Sequence, residues 1–240
     1  VIPSRRGLIT GAAALAAYAA LPKGARAQDD EMAMLGVDQG AVASGGSSFS
    51  TWDPNNAGAN ITLSADKLTA TAGATGWQSV RNTLSHSSGK WYFEFSCAAT
   101  TPFAEWMIIG IGNASASMNN WVGVDANGWS WFNNNGHVQN NNTTVLSGDT
   151  WPAASGTAHS VAVDLTNNAL WFYEPSQARW NASGTANPAT NTGGISISAG
   201  TYFATYSGST GGGAGSTAIT LNVGATSFAR TPPSGFSAWG

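Results

Sequence analysis

Large apolar side chains recur at every second position in several segments of this chain. Residues 88–97 (S-G-K-W-Y-F-E-F-S-C) form the clearest example. Successive residues of a strand point to opposite sides, so Trp91, Phe93 and Phe95 share one face and Tyr92 and Glu94 the other. Burying three aromatics in line stabilises by about 2 kcal/mol each, so the aromatic face is expected to be the core face. Glu94 is expected to meet solvent or Lys90. Residues 61–72 alternate across an Ala-Asp turn and predict a hairpin, and 77–84 predict the next strand, with His86 in the turn that follows. Residues 106–112 (W-M-I-I-G-I-G) are continuously apolar, as in a central strand covered on both faces.

The same pattern continues to the end of the chain. Two short strands are predicted at 121–125 and 128–132, with Trp129 and Trp131 on one face, followed by an asparagine-dominated loop at 133–142 around His137. Residues 157–165 turn Val161, Val163 and Leu165 inward, and 169–174 return after Thr166-Asn167-Asn168 as a second hairpin. Strands at 195–206 and 217–223 complete the set, separated by a glycine-rich turn. About ten strands with frequent turns, and no helical period after residue 50, predict an all-β, antiparallel two-sheet β-sandwich.

The first fifty residues are of another kind and divide into an anchor at 1–39 and a Gly/Ser linker at 40–50, leaving the sandwich at 51–240. Arg5 and Arg6 precede an Ala-rich apolar run that ends at Ala25-Arg26-Ala27, a pattern that resembles a twin-arginine export signal. The run is about 11 residues, shorter than the roughly 20 of a membrane span, so no membrane span is expected. The segment is present in the chain, begins with Val1, and has high helix propensity. It is therefore expected to be retained as a short helical anchor inside a larger assembly, with Arg5, Arg6, Leu8, Leu15, Tyr18 and Leu21 as its anchoring residues.

Composition narrows the function. Charged residues make up only 9% of the chain and the net charge is -3, which leaves no electrostatic footprint for nucleic acid. The single cysteine, Cys97, lies in the strand pattern and reads as a buried thiol. The histidines are His86, His137 and His159, with no nucleophile elbow and no zinc-ligand spacing. His86 and His159 read as surface or capping residues. Glu94 and Glu174 are the only pair that invites comparison with a glycosidase, and Asp125 and Asp164 read as turn residues. The chain is expected not to be an enzyme and to need no cofactor or metal.

Eleven tryptophans among loops rich in Asn, Asp and Thr point instead to recognition, in which aromatic faces meet apolar ring surfaces and amides meet hydroxyl groups. Trp77, Trp91, Trp106, Trp129 and Trp171 are assigned to the core. Trp121, Trp131, Trp151 and Trp180 lie beside polar loops, and the expected ligand-binding patch is Trp131, Asn133, Asn134, Asn135 and His137.

Five segments in order resemble the SPRY family: S-G-K-W-Y-F-E-F at Ser88, G-I-G-N at Gly110, V-G-V-D-A-N-G-W-S-W-F-N-N-N-G at Val122, V-A-V-D-L-T-N-N-A-L-W-F-Y at Val161, and A-T-S-F-A-R-T-P-P-S-G-F-S-A-W at Ala225. The last resembles the end of SPRY-like modules of phage and bacterial proteins. The resemblance implies a jelly-roll-like sandwich with recognition loops at one end, while the loops at 180–194 and 208–216 are longer than the family's compact pattern. The expected function is that of a phage or phage-like virion surface protein (fibre, spike or decoration). Its partners would be other virion proteins, copies of itself, and a host surface glycan. The alternative is a twin-arginine-exported, lectin-like bacterial protein in the periplasm or medium.

Overall fold

The structure is a computed structural model that describes residues 49–73, 76–97, 106–150, 156–210 and 217–240. The predicted anchor and most of the linker lie outside the described residues, as does Trp151. Two sheets face each other. The first contains β1 (Trp52–Ala57), β4 (Gln78–His86), β14 (Tyr202–Gly208), β6 (Met107–Gly112), β7 (Gly128–Phe132), β8 (His137–Asn140) and β9 (Thr143–Ser147), hydrogen-bonded in that order.

The second runs β12 (Arg179–Trp180), β11 (Ala169–Glu174), β10 (Ala158–Asp164), β5 (Lys90–Cys97), β15 (Thr217–Asn222), β3 (Thr69–Ala72) and β2 (Ile61–Leu63). Two short strands join it at the side: β13 (Ile195–Ser196) on β11 and β16 (Ser237–Ala238) on β5. Every pair is antiparallel except β16 with β5, which is parallel.

The alternation seen in the sequence builds the core. From the first sheet Val80, Met107, Ile109, Ile111, Trp129, Trp131, Ala204 and Tyr206 point inward; from the second come Phe93, Phe95, Val161, Val163, Leu170, Phe172, Ile219 and Leu221, in one buried cluster. Phe95 stacks on Trp52 and meets Phe93 edge to face, with ring centroids 6.1 and 5.3 Å apart. Trp91 is only partly buried, against this cluster, and lies flat on the His86 imidazole at 3.6 Å.

Several expectations are corrected. Residues 121–125 form turns, because Val122 and Asn120 bond across to Ser207 and Ser79 of other strands and not to a neighbouring ladder. The asparagine-rich stretch is not a loop throughout. It holds β8 and leads into β9 through Asn141 and Asn142, both at positive φ, a conformation asparagine tolerates. Residues 195–206 are two strands broken at 197–201. His86, expected in a turn, is the last residue of β4, and His159, at the start of β10, is fully buried beside Trp131 and is not a surface residue.

The outer face of each sheet is covered by loops. Residues 113–127 lie over the first, close enough that a Cβ at Gly128 would come within 2.3 Å of Val122 Cγ1. Over the second, residues 181–194 are drawn down by Asn181. Its amide donates to the carbonyls of Leu170 and Gly193 and its oxygen accepts from Phe172 N–H.

After β15 the chain leaves the sheet at Gly224, where φ is +112°, crosses the outer face as residues 225–236, and returns as β16. β15 pairs with the C-terminal half of β5 and β16 with its N-terminal half. The excursion ends with Trp239 fully buried between the sheets, its indole donating to Leu84 O at 3.1 Å and its N–H to Tyr92 O at 3.0 Å.

Candidate binding surface

One row of outward side chains crosses five strands of the second sheet: Trp180, Tyr173, Ser160, Glu94 and Asn222, each paired in register with the next. The 225–236 strap lies on this row. Asn222 accepts from the N–H groups of Gly224 and Thr226. Glu94, 3% exposed, accepts from Ala229 N–H at 2.8 Å, Arg230 N–H at 2.9 Å and the Tyr92 hydroxyl at 2.6 Å. Phe228 meets the Tyr92 ring edge to face at 4.8 Å. Burial first, and then the bond to Glu94, push the Tyr92 hydroxyl well above its ordinary pKa.

The expectation that Glu94 meets solvent or Lys90 is therefore corrected. Lys90 pairs with Asp164 at 3.4 Å, and Glu94 fastens the strap. The partner carboxylate of the glycosidase comparison is also committed: Glu174 is buried and accepts from Ser176 N–H, Ser176 Oγ and Gln177 N–H in the turn before β12. Asp164 caps the β10–β11 hairpin through Thr166 and Asn167. Burial alone would raise its pKa, but the Asn167 bonds and Lys90 outweigh that and hold the carboxyl below its ordinary value. Glu174 and Asp164 thus terminate turns while Glu94 fastens the strap, and each carboxylate is committed to backbone N–H groups.

The expected patch divides. Trp131 is 2% exposed and donates to Asp149 O, and Asn133 is buried with its oxygen accepting from Met107 N–H. Both face inward because β7 lies near the middle of a sheet that is covered on both sides. Asn134 and Asn135 are exposed in the β7–β8 turn, where Asn135 accepts from His137 N–H, and His137 lies half-buried near Thr144. Trp180, assigned to a polar loop, is buried as well.

Conversely, two tryptophans assigned to the core reach the surface. β4 and β6 flank β14, and both Gln78 and Met107 register with Gly208. Trp77 and Trp106, each one residue upstream, thus arrive at the same end of the first sheet. Their rings meet edge to face at 5.6 Å. Phe132, outward on β7, meets Trp77 at 6.0 Å and Trp121 at 5.0 Å.

Trp106 is 38% exposed, and Trp77 and Trp121 are half-buried. The 113–127 loop fixes Trp121: Ser79 donates its N–H to Met118 O and its hydroxyl to Asn120 O, and Val122 N–H donates to Ser207 Oγ. Exposed Asn119 and Asn134 lie close by in sequence to Trp121 and Phe132. An exposed Trp106 ring beside the half-buried Trp77 and Trp121, at one end of the first sheet, can stack on the apolar face of a saccharide ring. The periodicity concealed this surface because an apolar residue just before a strand reads as part of it.

No family model and no curated protein sequence matches the chain. Among solved structures it is similar to the SPRY domain of human HERC1, with a TM-score of 0.54 at 12% identity, covering 71% of this chain and 96% of that one. The TRIM65 PSpry domain aligns with a TM-score of 0.48 at 14% identity, covering 72% and 90% of the two chains. Stonustoxin aligns with a TM-score of 0.45 at 16% identity, covering 72% of this chain and 26% of its own. At such identities the likeness concerns fold alone, and the fold is the SPRY β-sandwich.

Proposed function

We propose that this SPRY-fold chain is a non-catalytic recognition protein of a phage or phage-like particle. Residues 1–39 anchor it among other virion proteins and copies of itself, and the sandwich is held outward to meet a host-surface saccharide. The observation that carries the recognition role is the Trp77–Trp106–Trp121 surface. A cluster in which Trp106 is exposed and Trp77 and Trp121 are half-buried calls for a partner, and the scarcity of charge favours a neutral, hydroxylated one. The placement on a particle rests on the anchor-like N-terminal segment and on the likeness of the closing motif to SPRY-like modules of phage proteins.

The full chain applied to a glycan array is expected to select a neutral saccharide, and Trp106→Ala to weaken that binding by roughly ten-fold or more, the equivalent of one lost ring-stacking contact. Because Trp106 is partly exposed, the melting transition of W106A should move by about 1 kcal/mol or less. A binding curve unchanged by this substitution removes the site. N-terminal sequencing of the chain from purified particles tests the anchor, since a mature protein starting near Gln28 overturns it. The Arg5-Arg6 motif is what favours the second reading, a lectin-like exported protein, and the same sequencing distinguishes the two.

A further inference from the structure

The described residues contain five cations, Lys67, Arg81, Lys90, Arg179 and Arg230. Three are already engaged. Arg81 donates to Ala114 O and Asn56, Lys90 pairs with Asp164, and Arg179 grips Asp149 through two bonds of 2.8 and 2.5 Å. Lys67 sits at positive φ in the β2–β3 turn, a point charge on a flexible stem. Arg230 is different. Its backbone is pinned by Glu94, and its guanidinium lies 3.6 Å over the Tyr173 ring and 5.9 Å from Trp180. Among the described residues that guanidinium has no acceptor, although the residue is exposed.

A guanidinium laid flat on an aromatic face keeps its N–H edge free, and that edge matches the two oxygens of a carboxylate. Here the face is fixed by Tyr173 and Trp180, which meet each other at 5.1 Å, and the strap is fixed by the buried carboxylate beneath it. The donor fork is therefore ordered before any ligand arrives, and less side-chain freedom is lost on binding.

We propose that Arg230, backed by Tyr173 and Trp180, is a receptor for the carboxylate of an acidic saccharide, such as a uronic acid. The choice of saccharide rests on the recognition reading above; the site itself does not depend on the Trp106 surface, which lies on the other sheet. Two observations favour a sugar over an acidic peptide. The neighbouring edge strand β12 has two residues, and the chain folds back on it directly, Ser183 N–H donating to Trp180 O at 2.9 Å. An extended peptide finds no ladder to join there. In addition, Ala229, next to Arg230, lines a cleft of about 280 Å³ whose polar lining includes the hydroxyls and amide of Ser96, Thr220, Asn222 and Ser227; Glu94, which also borders it, is committed to the strap.

The test uses the full chain, with glucuronate as probe and glucose as its neutral counterpart, followed by NMR of the Trp180 indole. Glucuronate is expected to shift the Trp180 signal saturably and glucose to leave it still. Arg230→Gln should weaken glucuronate binding by about ten-fold or more and Arg230→Lys by nearly as much, since the charge alone does not supply the fork. Trp106→Ala should leave it unchanged. R230Q binding glucuronate like the parent, or glucose shifting Trp180 equally, overturns the proposal. An aspartate-rich peptide that binds through Arg230 when glucuronate does not overturns the choice of saccharide. Failure of the neutral glycan array together with a positive glucuronate result would remove the Trp106 site and leave this one standing.

Discussion

His86 joins the two ends of the sandwich's chemistry at a single side chain. Its Nε2 lies 2.7 Å from Trp239 O, an acceptor, so this nitrogen carries a proton. Burial lowers its pKa below the ordinary 6.5, and the bond to Trp239 offsets only part of that effect. A group whose folded pKa is depressed binds fewer protons folded than unfolded, so its contribution to stability is complete above about pH 6.5 and is lost as the pH falls below that value. The melting temperature should decline between pH 7.5 and 5.5, and the decline should be shallower in His86→Gln, which keeps a donor for Trp239 O. Parallel slopes in thermal scans of the two proteins would contradict this. The Trp239 contact could not be read from the sequence because 153 residues separate the pair, and the Trp91 stack, across the turn from β4 to β5, is marked by no local pattern.

At the level of elements, the strap is what distinguishes the second sheet. Alternation located β2, β3, β4, β5, β7, β10, β11 and β15, with a continuous apolar run marking β6. It failed where polar contacts decide the structure. Glu94 was legible as an outward residue of β5, but outward did not mean wet, since residues 225–236 lack any period and their course is set by carboxylate and amide bonds. The candidate surface was missed for a related reason: tryptophan in a strand pattern signals apolar surroundings without telling which of two covered faces thins out at the sheet end. Glu94→Ala should strand the Ala229 and Arg230 N–H groups, costing about 3 kcal/mol by urea denaturation, while the Tyr92 hydroxyl keeps Ser160 Oγ at 2.8 Å. Amide exchange should rise first at Ala229 and Arg230. An intact protection pattern there in E94A would show that Phe228 and Trp239 hold the strap without it.

For the molecule as a whole, chain order and spatial order disagree. β14 lies between β4 and β6, and β15 occupies the middle of the second sheet beside β5, so the last forty residues supply the centre of both layers. A chain cut after Gly200 loses both and leaves β4, β6 and β5 with open edges. It should show no cooperative melting transition by far-UV circular dichroism, and a sharp transition in that fragment would mean that the central strands are dispensable.

That late arrival of the central strands sets a timetable for biosynthesis. The edges of β4, β5 and β6, which carry Val80, Phe93, Phe95 and three isoleucines, stay unpaired on the ribosome until residues 202–222 have emerged, which is the period in which neighbouring nascent chains can associate wrongly. Emergence of residues 202–222, and not of the N-terminal half, is the step after which the sandwich can close, and yield on overexpression should depend on how many copies are in that waiting state at once.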